Sequence, residues 1–339
     1  MRFAHPEPAP ASARIWPVFL PFAGCPHRCV FCAQDKQTGR DGADLAAVRR
    51  ELENDLEGAR RQGRGPYELA FYGGTFTALP APWPETFLAL AARFRAAGLI
   101  TRVRCSTRPD CVAPDLLARL LDQGLDMVEL GIQSFDDTAL RASGRGYVGA
   151  AALAACDMVR AAGLALGVQL LPGLPGDRPG LFQRDVRTAA MLGPETARLY
   201  PCMVVRGTPL AELWERGGYV PWSTDRAVRE LAEALPVLWT QGVRVIRLGL
   251  APEPTLDDNV LAGLRHPALG QSARARALLE VVRTKVRELG VPPRSLAVPR
   301  RYSGEFYGHI RELAADYFAL GLPEGAVSFI DGPEFILEG

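Results

Sequence analysis

Three of the seven cysteines crowd one loop, Cys25-Pro26-His27-Arg28-Cys29-Val30-Phe31-Cys32, with the spacing Cys-x3-Cys-x2-Cys. Thiolates on so short a loop can hold three irons of a cubane 4Fe–4S cluster. No fourth cysteine follows nearby, which leaves the fourth iron open to another ligand. A structural zinc site wants four ligands at paired spacings, and only His27 lies close, on the same tight loop. Covalent haem attachment needs His directly after Cys-x-x-Cys, and residue 33 is Ala. A thioredoxin-like pair leaves Cys25 without a role. Spacing ranks the cluster first and leaves the others open. Cys105 and Cys156 read as buried, whereas Cys111 and Cys202 are candidates to face a cavity.

Further polar residues fall where strands end. Gly73-Gly74-Thr75 stops the run Tyr67 to Tyr72, and two glycines let a ligand reach bare backbone. In Val128-Glu129-Leu130-Gly131-Ile132-Gln133-Ser134, alternation turns Val128, Leu130 and Ile132 to one side and Glu129, Gly131 and Gln133 to the other. If the second side is a barrel interior, the carboxylate and amide need partners: either a bound ligand, or Arg102 or Arg104 of the preceding strand. Arg145 precedes the next helix, where a guanidinium can fork onto a carboxylate. Gln169 shares a face with Gly167, and Leu170-Leu171-Pro172-Gly173-Leu174-Pro175-Gly176 fixes the loop beyond. Tyr200 and His266 are candidate relays or acid–base groups, each with a structural reading beside it.

These residues must be positioned by alternating elements. Strands are expected over Ile15–Phe22, Tyr67–Tyr72, Thr101–Thr107, Met127–Ser134, Leu164–Leu171 and Thr196–Val204. Helices are expected over Ala43–Gln62, Pro84–Ala97, Ala113–Gln123, Val148–Ala162 and within Arg178–Leu192. Six such units argue for parallel strands with right-handed crossovers, hence an α/β partial (β/α)6 TIM-type barrel with chemistry at its strand ends. The rhythm then changes: a helix over Thr224–Trp239, a strand over Val243–Leu250, a loop with Pro252, Pro254 and Pro267, and helices over Ser272–Leu289 and Glu305–Leu320. Short strands are expected at Leu296–Val298 and Ala326–Ile330. The expected division is a flexible lead over residues 1–14, the barrel over 15–215, and a smaller C-terminal α+β extension over 216–339 packed on it.

At 339 residues and 48% hydrophobic content the chain can bury a large core. An odd cysteine count with three on one loop argues against a secreted disulfide framework and for the cytoplasm. Neither a signal peptide nor a membrane span is legible. Net charge is +1, but residues 244–311 carry 12 basic and 6 acidic side chains, and residues 312–339 carry 6 acidic and no basic ones. Arg265, Arg274, Arg276, Arg283, Arg300 and Arg301 are therefore candidates to track RNA phosphates. Alternatively they pair with the acidic tail, Glu312, Asp316, Glu324, Asp331, Glu334 and Glu338.

The loop resembles the signature of the radical-SAM superfamily, Cys-x3-Cys-x-aromatic-Cys, with Phe31 in the aromatic slot. The resemblance implies that Cys25, Cys29 and Cys32 hold a 4Fe–4S cluster whose open iron binds S-adenosylmethionine (SAM), and that Phe31 lies against the adenine. Reductive cleavage of SAM then yields a 5′-deoxyadenosyl radical that abstracts hydrogen. Ser106-Thr107-Arg108-Pro109-Asp110, the strand at 128–134, Pro172-Gly173-Leu174-Pro175-Gly176 and Val205-Arg206-Gly207-Thr208-Pro209-Leu210-Ala211-Glu212-Leu213-Trp214 resemble the radical-SAM half of the Elongator catalytic subunit. The pair Gln133 and Arg145 is also similar to oxygen-independent coproporphyrinogen III oxidase. The expected SAM site is Phe31, Gly73, Gly74, Thr75, Ser106, Glu129, Gln133, Arg145 and Gln169. Thr75 replaces the acid of a Gly-Gly-Glu-type motif, Ser106 stands where Elongator usually has an acid, the first cysteine gap is shorter, and no acetyltransferase domain follows. The resemblance implies a radical enzyme acting on a tRNA base, with an electron donor such as flavodoxin or ferredoxin and no membrane partner. Its rivals are the same chemistry on a small molecule such as a porphyrin-like ring, and a non-catalytic iron–sulfur regulator or cofactor chaperone.

Overall fold

The computed structural model describes residues 1–9, 13–250, 254–264 and 266–339. Its strands are β1 (Arg2–Ala4), β2 (Arg14–Phe19), β3 (Tyr67–Tyr72), β4 (Ile100–Thr107), β5 (Met127–Gln133), β6 (Ala165–Leu170), β7 (Thr196–Leu199), β8 (Val204–Val205), β9 (Arg244–Leu248), β10 (Val260–Ala262), β11 (Ser295–Pro299), β12 (Val327–Ile330) and β13 (Glu334–Glu338). Seven of them form one curled parallel sheet in the order β2-β3-β4-β5-β6-β7-β9. This is the expected partial barrel with one strand more.

Alternation decides which side chains meet which layer. Leu69 and Phe71, Val103 and Cys105, Val128, Leu130 and Ile132, Leu166 and Val168, and Ala197 and Leu199 all join the core under the helices. Leu52 and Leu56, Phe87 and Phe94, Leu117 and Leu120, and Leu231 and Leu235 meet them from the helical side. The opposite face of the strands carries Glu68, Tyr72, Arg104, Glu129 and Arg198 toward the interior. Cys105 and Cys156 are buried, as read from the sequence.

Three expectations are corrected. The lead is not wholly flexible: β1 pairs antiparallel with β13, and Phe3 stacks on Phe335 at 5.0 Å between ring centroids. Hydrophobic burial of Phe3 and His5 anchors it. Nor does residue 215 divide the two sheets. Helix Thr224–Thr240 packs into the barrel core, and β9 pairs with β7. The second sheet, β1-β13-β11-β12, has its own core around Phe306, Tyr317, Leu296 and Leu337. Finally, the helix expected over Glu305–Leu320 is broken. Gly308, Ile310 and Arg311 have positive φ, and the segment splits into Ser303–Phe306, a 3-10 turn and Ala314–Ala319.

The acidic tail folds onto the basic stretch. Glu312 meets Arg276 at 3.2 Å, Asp331 meets Arg300 at 3.1 Å and Glu324 meets Arg311 at 3.0 Å. Arg274 pairs with Glu7, and Arg283 with Glu280. These pairs are mostly exposed and each stabilises by about 0–1 kcal/mol, but they engage Arg274, Arg276, Arg283 and Arg300, four of the arginines that the sequence offered to RNA. Arg265 and Pro252 lie outside the described residues.

His5 sits between the two cores. Its Nδ1 accepts from the Glu7 amide (3.1 Å), its ring stacks on Tyr302 (4.5 Å), and Trp239 meets it edge-on. The Glu305 carboxyl lies 3.9 Å from Nε2 and is itself biased toward neutrality by burial. Burial, then the charges of Arg274 and Arg301, lowers the His5 pKa from 6.5 to about 4. The unfolded chain then takes a proton near pH 6.5 that the folded chain refuses until about pH 4, so His5 costs stability as pH falls through that window. Urea midpoints measured across it are expected to fall further for wild type than for His5→Phe. Identical falls in the two proteins contradict this reading. Phe3→Ala is expected to cost about 3 kcal/mol, read as a lowered urea midpoint at neutral pH.

Candidate active site

The cysteine loop follows β2 and is held by hydrogen bonds to its backbone as well as by the packing of Val30 and Phe31 on an apolar cluster. Gln34 Oε1 accepts from the amides of Phe22 (2.7 Å) and Gly74 (3.0 Å), and the Thr75 amide donates to the Ala23 carbonyl at 2.7 Å. The two loops approach so closely that only glycine fits at the contacts. A Cβ on Gly24 would lie 2.3 Å from the Thr75 oxygen, and one on Gly74 would lie 2.2 Å from the Ala23 oxygen. Both glycines also have positive φ.

The carboxyl ends of the barrel strands open on a cavity of about 460 Å³, within the ~300–1,000 Å³ range of small-molecule sites. Cys25, Cys29, Phe31 and Cys32 line one end, beside Gly73, Gly74, Ser106, Gln133, Arg145 and Gln169. Most of the residues read from the sequence therefore meet in one place. Gln169 Nε2 donates to Gln133 Oε1 at 3.4 Å. Gln133 ends β5 with φ +70°, a conformation costly for a residue with a Cβ. The same turn interrupts the β5–β6 register, so the amide is aimed at the expense of backbone strain.

Two site residues sit elsewhere than expected. Thr75 is fully buried behind the wall, its hydroxyl 3.3 Å from the Cys25 sulfur. Glu129 lies in the floor: Arg198 Nε reaches its Oε2 at 2.5 Å and Arg104 Nε its Oε1 at 3.2 Å. Its internal partners are thus Arg104, which the sequence offered, and Arg198, which it did not. Arg145 does line the cavity, but its guanidinium is already engaged. Nη1 points to Cys29 Sγ at 3.0 Å, Nη2 donates to the Gly131 carbonyl at 2.5 Å, and Nε donates to the Tyr147 hydroxyl at 3.0 Å. Tyr200 and Cys202 line the cavity. Cys111 and His266 do not: His266 Nδ1 accepts from the Ala268 amide.

Sequence reasoning missed Arg108, Arg198, Arg247 and Gln34. Arg108 is buried and places Nη1 3.6 Å from Cys29 Sγ while its Nε and Nη2 fork onto Asp110. Its signal was present in the run 106–110, whose Arg and Asp are two residues apart. Tyr72 receives hydrogen bonds from Arg104 (2.8 Å) and Arg198 (2.6 Å), and Tyr200 receives one from Arg198 (3.0 Å). Among the described residues, no three His, Cys, Asp or Glu side chains are grouped to hold one metal ion. A cubane does not ask that, because each cysteine binds its own iron.

The profile of the radical SAM superfamily matches residues 19–188, and that of the radical SAM C-terminal domain matches residues 194–280. The tRNA uridine(34) acetyltransferase of Methanocaldococcus infernus is 26% identical over 66% of this chain and 50% of its own length. The human Elongator complex protein 3 is 25% identical over 93% of this chain and 64% of its own length. The chain thus spans about half the length of the archaeal relatives it matches. A solved structure of the M. infernus Elongator protein 3, shortened at its N-terminus, superposes with TM-score 0.60 at 20% identity, covering 86% of this chain and 67% of that one. It shares the fold.

That superfamily uses a 4Fe–4S cluster and SAM, and the residues present fit both. All three loop thiols line the cavity. Burial pushes Cys32 up to about 12 and Cys25 upward too, so these two thiols stay neutral until a cation supplies the missing charge. Arg108 and Arg145 stand ready to offset a thiolate at Cys29. Replacing Cys25, Cys29 and Cys32 by Ala is expected to abolish iron binding after anaerobic reconstitution, whereas Cys105→Ala and Cys156→Ala keep about four irons per chain. Iron retained in the triple variant refutes the ligand set. Gln133→Gly is expected to keep or raise the unfolding midpoint by releasing strain, while SAM affinity falls about tenfold. Unchanged SAM affinity, measured by equilibrium dialysis, places the cradle elsewhere.

Proposed function

The chain belongs to the radical SAM superfamily, and on that premise we propose that this enzyme abstracts hydrogen from a base of tRNA in the cytoplasm. The observation that carries the reading is the meeting of three cysteines and a polar SAM cradle in one cavity. Cys25, Cys29 and Cys32 hold the cluster. Gly73 and Gly74 offer backbone, Ser106, Gln133 and Gln169 offer hydroxyl and amides, and Phe31 offers an apolar face, all toward SAM. Held there, a 4Fe–4S cluster with SAM would supply one-electron reductive cleavage of the sulfonium and, through it, the power to abstract hydrogen from an unactivated carbon.

The chain's own residues supply placement. Arg145 and Arg108 fix the charge around Cys29 through direct contacts to its sulfur. Arg198 fixes the hydroxyls of Tyr72 and Tyr200 on the far wall, where a substrate group can meet them. The tRNA assignment is supported by relatives whose names record tRNA uridine(34) as their target. The acetyl transfer in those names is not carried over. All seven cysteines are free thiols, in keeping with a reducing compartment. A small carrier such as flavodoxin or ferredoxin supplies the electron. Among the described residues, no helix is long and apolar enough to cross a membrane.

The test is anaerobic incubation of reconstituted protein with SAM, dithionite and total tRNA, followed by mass spectrometry of small molecules and digested nucleosides. The expected result is 5′-deoxyadenosine together with an altered nucleoside, both lost in Cys29→Ala. 5′-Deoxyadenosine with no altered nucleoside overturns the tRNA assignment and moves a small-molecule substrate to the front. No 5′-deoxyadenosine at all favours a non-catalytic cluster protein.

A further inference from the structure

The cavity has a second end, away from the cysteines, built by β6, β7 and β9. Its charge does not balance. Among the described residues, five arginines line the cavity (Arg28, Arg108, Arg145, Arg198 and Arg247) and no Asp or Glu does. Arg108 and Arg145 face Cys29, and Arg28 lies over the Phe22 ring at 3.9 Å. In the floor, Glu129 and Glu68 balance Arg198 and Arg104. Arg247 is left over. Its Nε donates to the Gly249 carbonyl at 3.2 Å, and among the described residues no carboxylate pairs with it.

The backbone puts it there. Strand β9 pairs with β7 through Thr196↔Arg244 and Ala197↔Val245, then skips Ile246 so that Arg198 faces Arg247. Such an irregularity re-aims a side chain and is common beside active sites. Here it sets Arg247 in register with the inward-facing Arg198, whose own guanidinium is already taken up by Glu129, Tyr72 and Tyr200, so that Arg247 lines the cavity without a carboxylate of its own among the described residues. Tyr200, whose hydroxyl receives Arg198 Nη1, stands beside the pair in the same wall.

We propose that Arg247, with the Tyr200 hydroxyl beside it in the cavity wall, forms an anion subsite that binds a phosphate of the nucleotide unit presented for reaction. This rests on the reading that the cavity receives a nucleic-acid substrate, and deepens it by assigning the group that anchors that substrate opposite the cysteines. Phosphate fits because a fork of planar guanidinium donors matches its oxygens.

The experiment compares uridine, uridine 5′-monophosphate and a uridine-containing tRNA anticodon stem-loop as ligands of the SAM-loaded holoenzyme. Wild type, Arg247→Gln and Arg247→Lys are measured by calorimetry at several salt concentrations. Wild type is expected to prefer the monophosphate to uridine by about tenfold or more. Arg247→Gln is expected to lose that preference, and Arg247→Lys to regain part of it. For the stem-loop, Arg247→Gln is expected to lower affinity about tenfold and flatten the salt slope by about one. Iron content and SAM affinity stay at wild-type values, which separates this loss from damage to the cofactor site. Stem-loop binding with the same affinity and slope in Arg247→Gln overturns the subsite while the tRNA reading stands. Monophosphate preference that depends on Arg247, without stem-loop binding, keeps the subsite, assigns it to a free nucleotide and removes tRNA. No monophosphate preference in wild type, together with no stem-loop loss in Arg247→Gln, refutes the proposal.

Discussion

Glu129 is a carboxylate inside a barrel, 3% exposed, and much of the interior follows from the need to pair it. A lone buried carboxylate is costly, and two guanidiniums from different strands close on it. Those same guanidiniums hold the Tyr72 hydroxyl between them, and Arg198 also holds Tyr200. A charge buried in mid-strand thus organises side chains from β3, β4, β5 and β7 into one rigid floor. Breaking such a pair leaves an unpaired buried charge, a costlier state than never having had one. The floor fixes what the cavity above it can accept, because its two hydroxyls and one side of its arginine pair are the surface on which a substrate rests.

The opposite wall depends on close backbone approach. The position of the cysteine loop follows from Gln34 bridging two amides and from glycines at Gly24 and Gly74, with Val30 and Phe31 packed on an apolar cluster. Backbone strain falls on this wall too: Phe22 and Gln133 take left-handed backbone, the latter at the end of β5. Arg145 links the two halves of this wall, reaching from the loop after β5 to the Cys29 sulfur and to the Gly131 carbonyl. The cavity therefore has a wall fixed by backbone contact, a floor fixed by buried charge, and a far end where the charge is left uncompensated. The C-terminal sheet lies outside this arrangement, and exposed ion pairs join Arg276, Arg300 and Arg311 of the basic stretch to the acidic tail.

The sequence alone determined the family and the barrel. Cysteine spacing is a local property of the chain, so the loop that brings three thiols to the cavity was legible without a fold. Strand alternation is local too, which is why Val128, Leu130 and Ile132 were assigned to the helical layer and Glu129 and Gln133 to the interior. Relations between distant segments were not legible. Arg198 is paired with Glu129 across 69 residues, and nothing in either segment announces the other. β1 and β13 are short strands stabilised only by each other and by β11, so the lead read as free chain and β13 went unread. Arg247 shows the limit most sharply. Regular alternation sets Arg244 and Arg247, three residues apart, on opposite faces of their strand. The irregularity in the pairing of β7 with β9 brings both onto the register of Thr196 and Arg198, and only the neighbouring strand decides that.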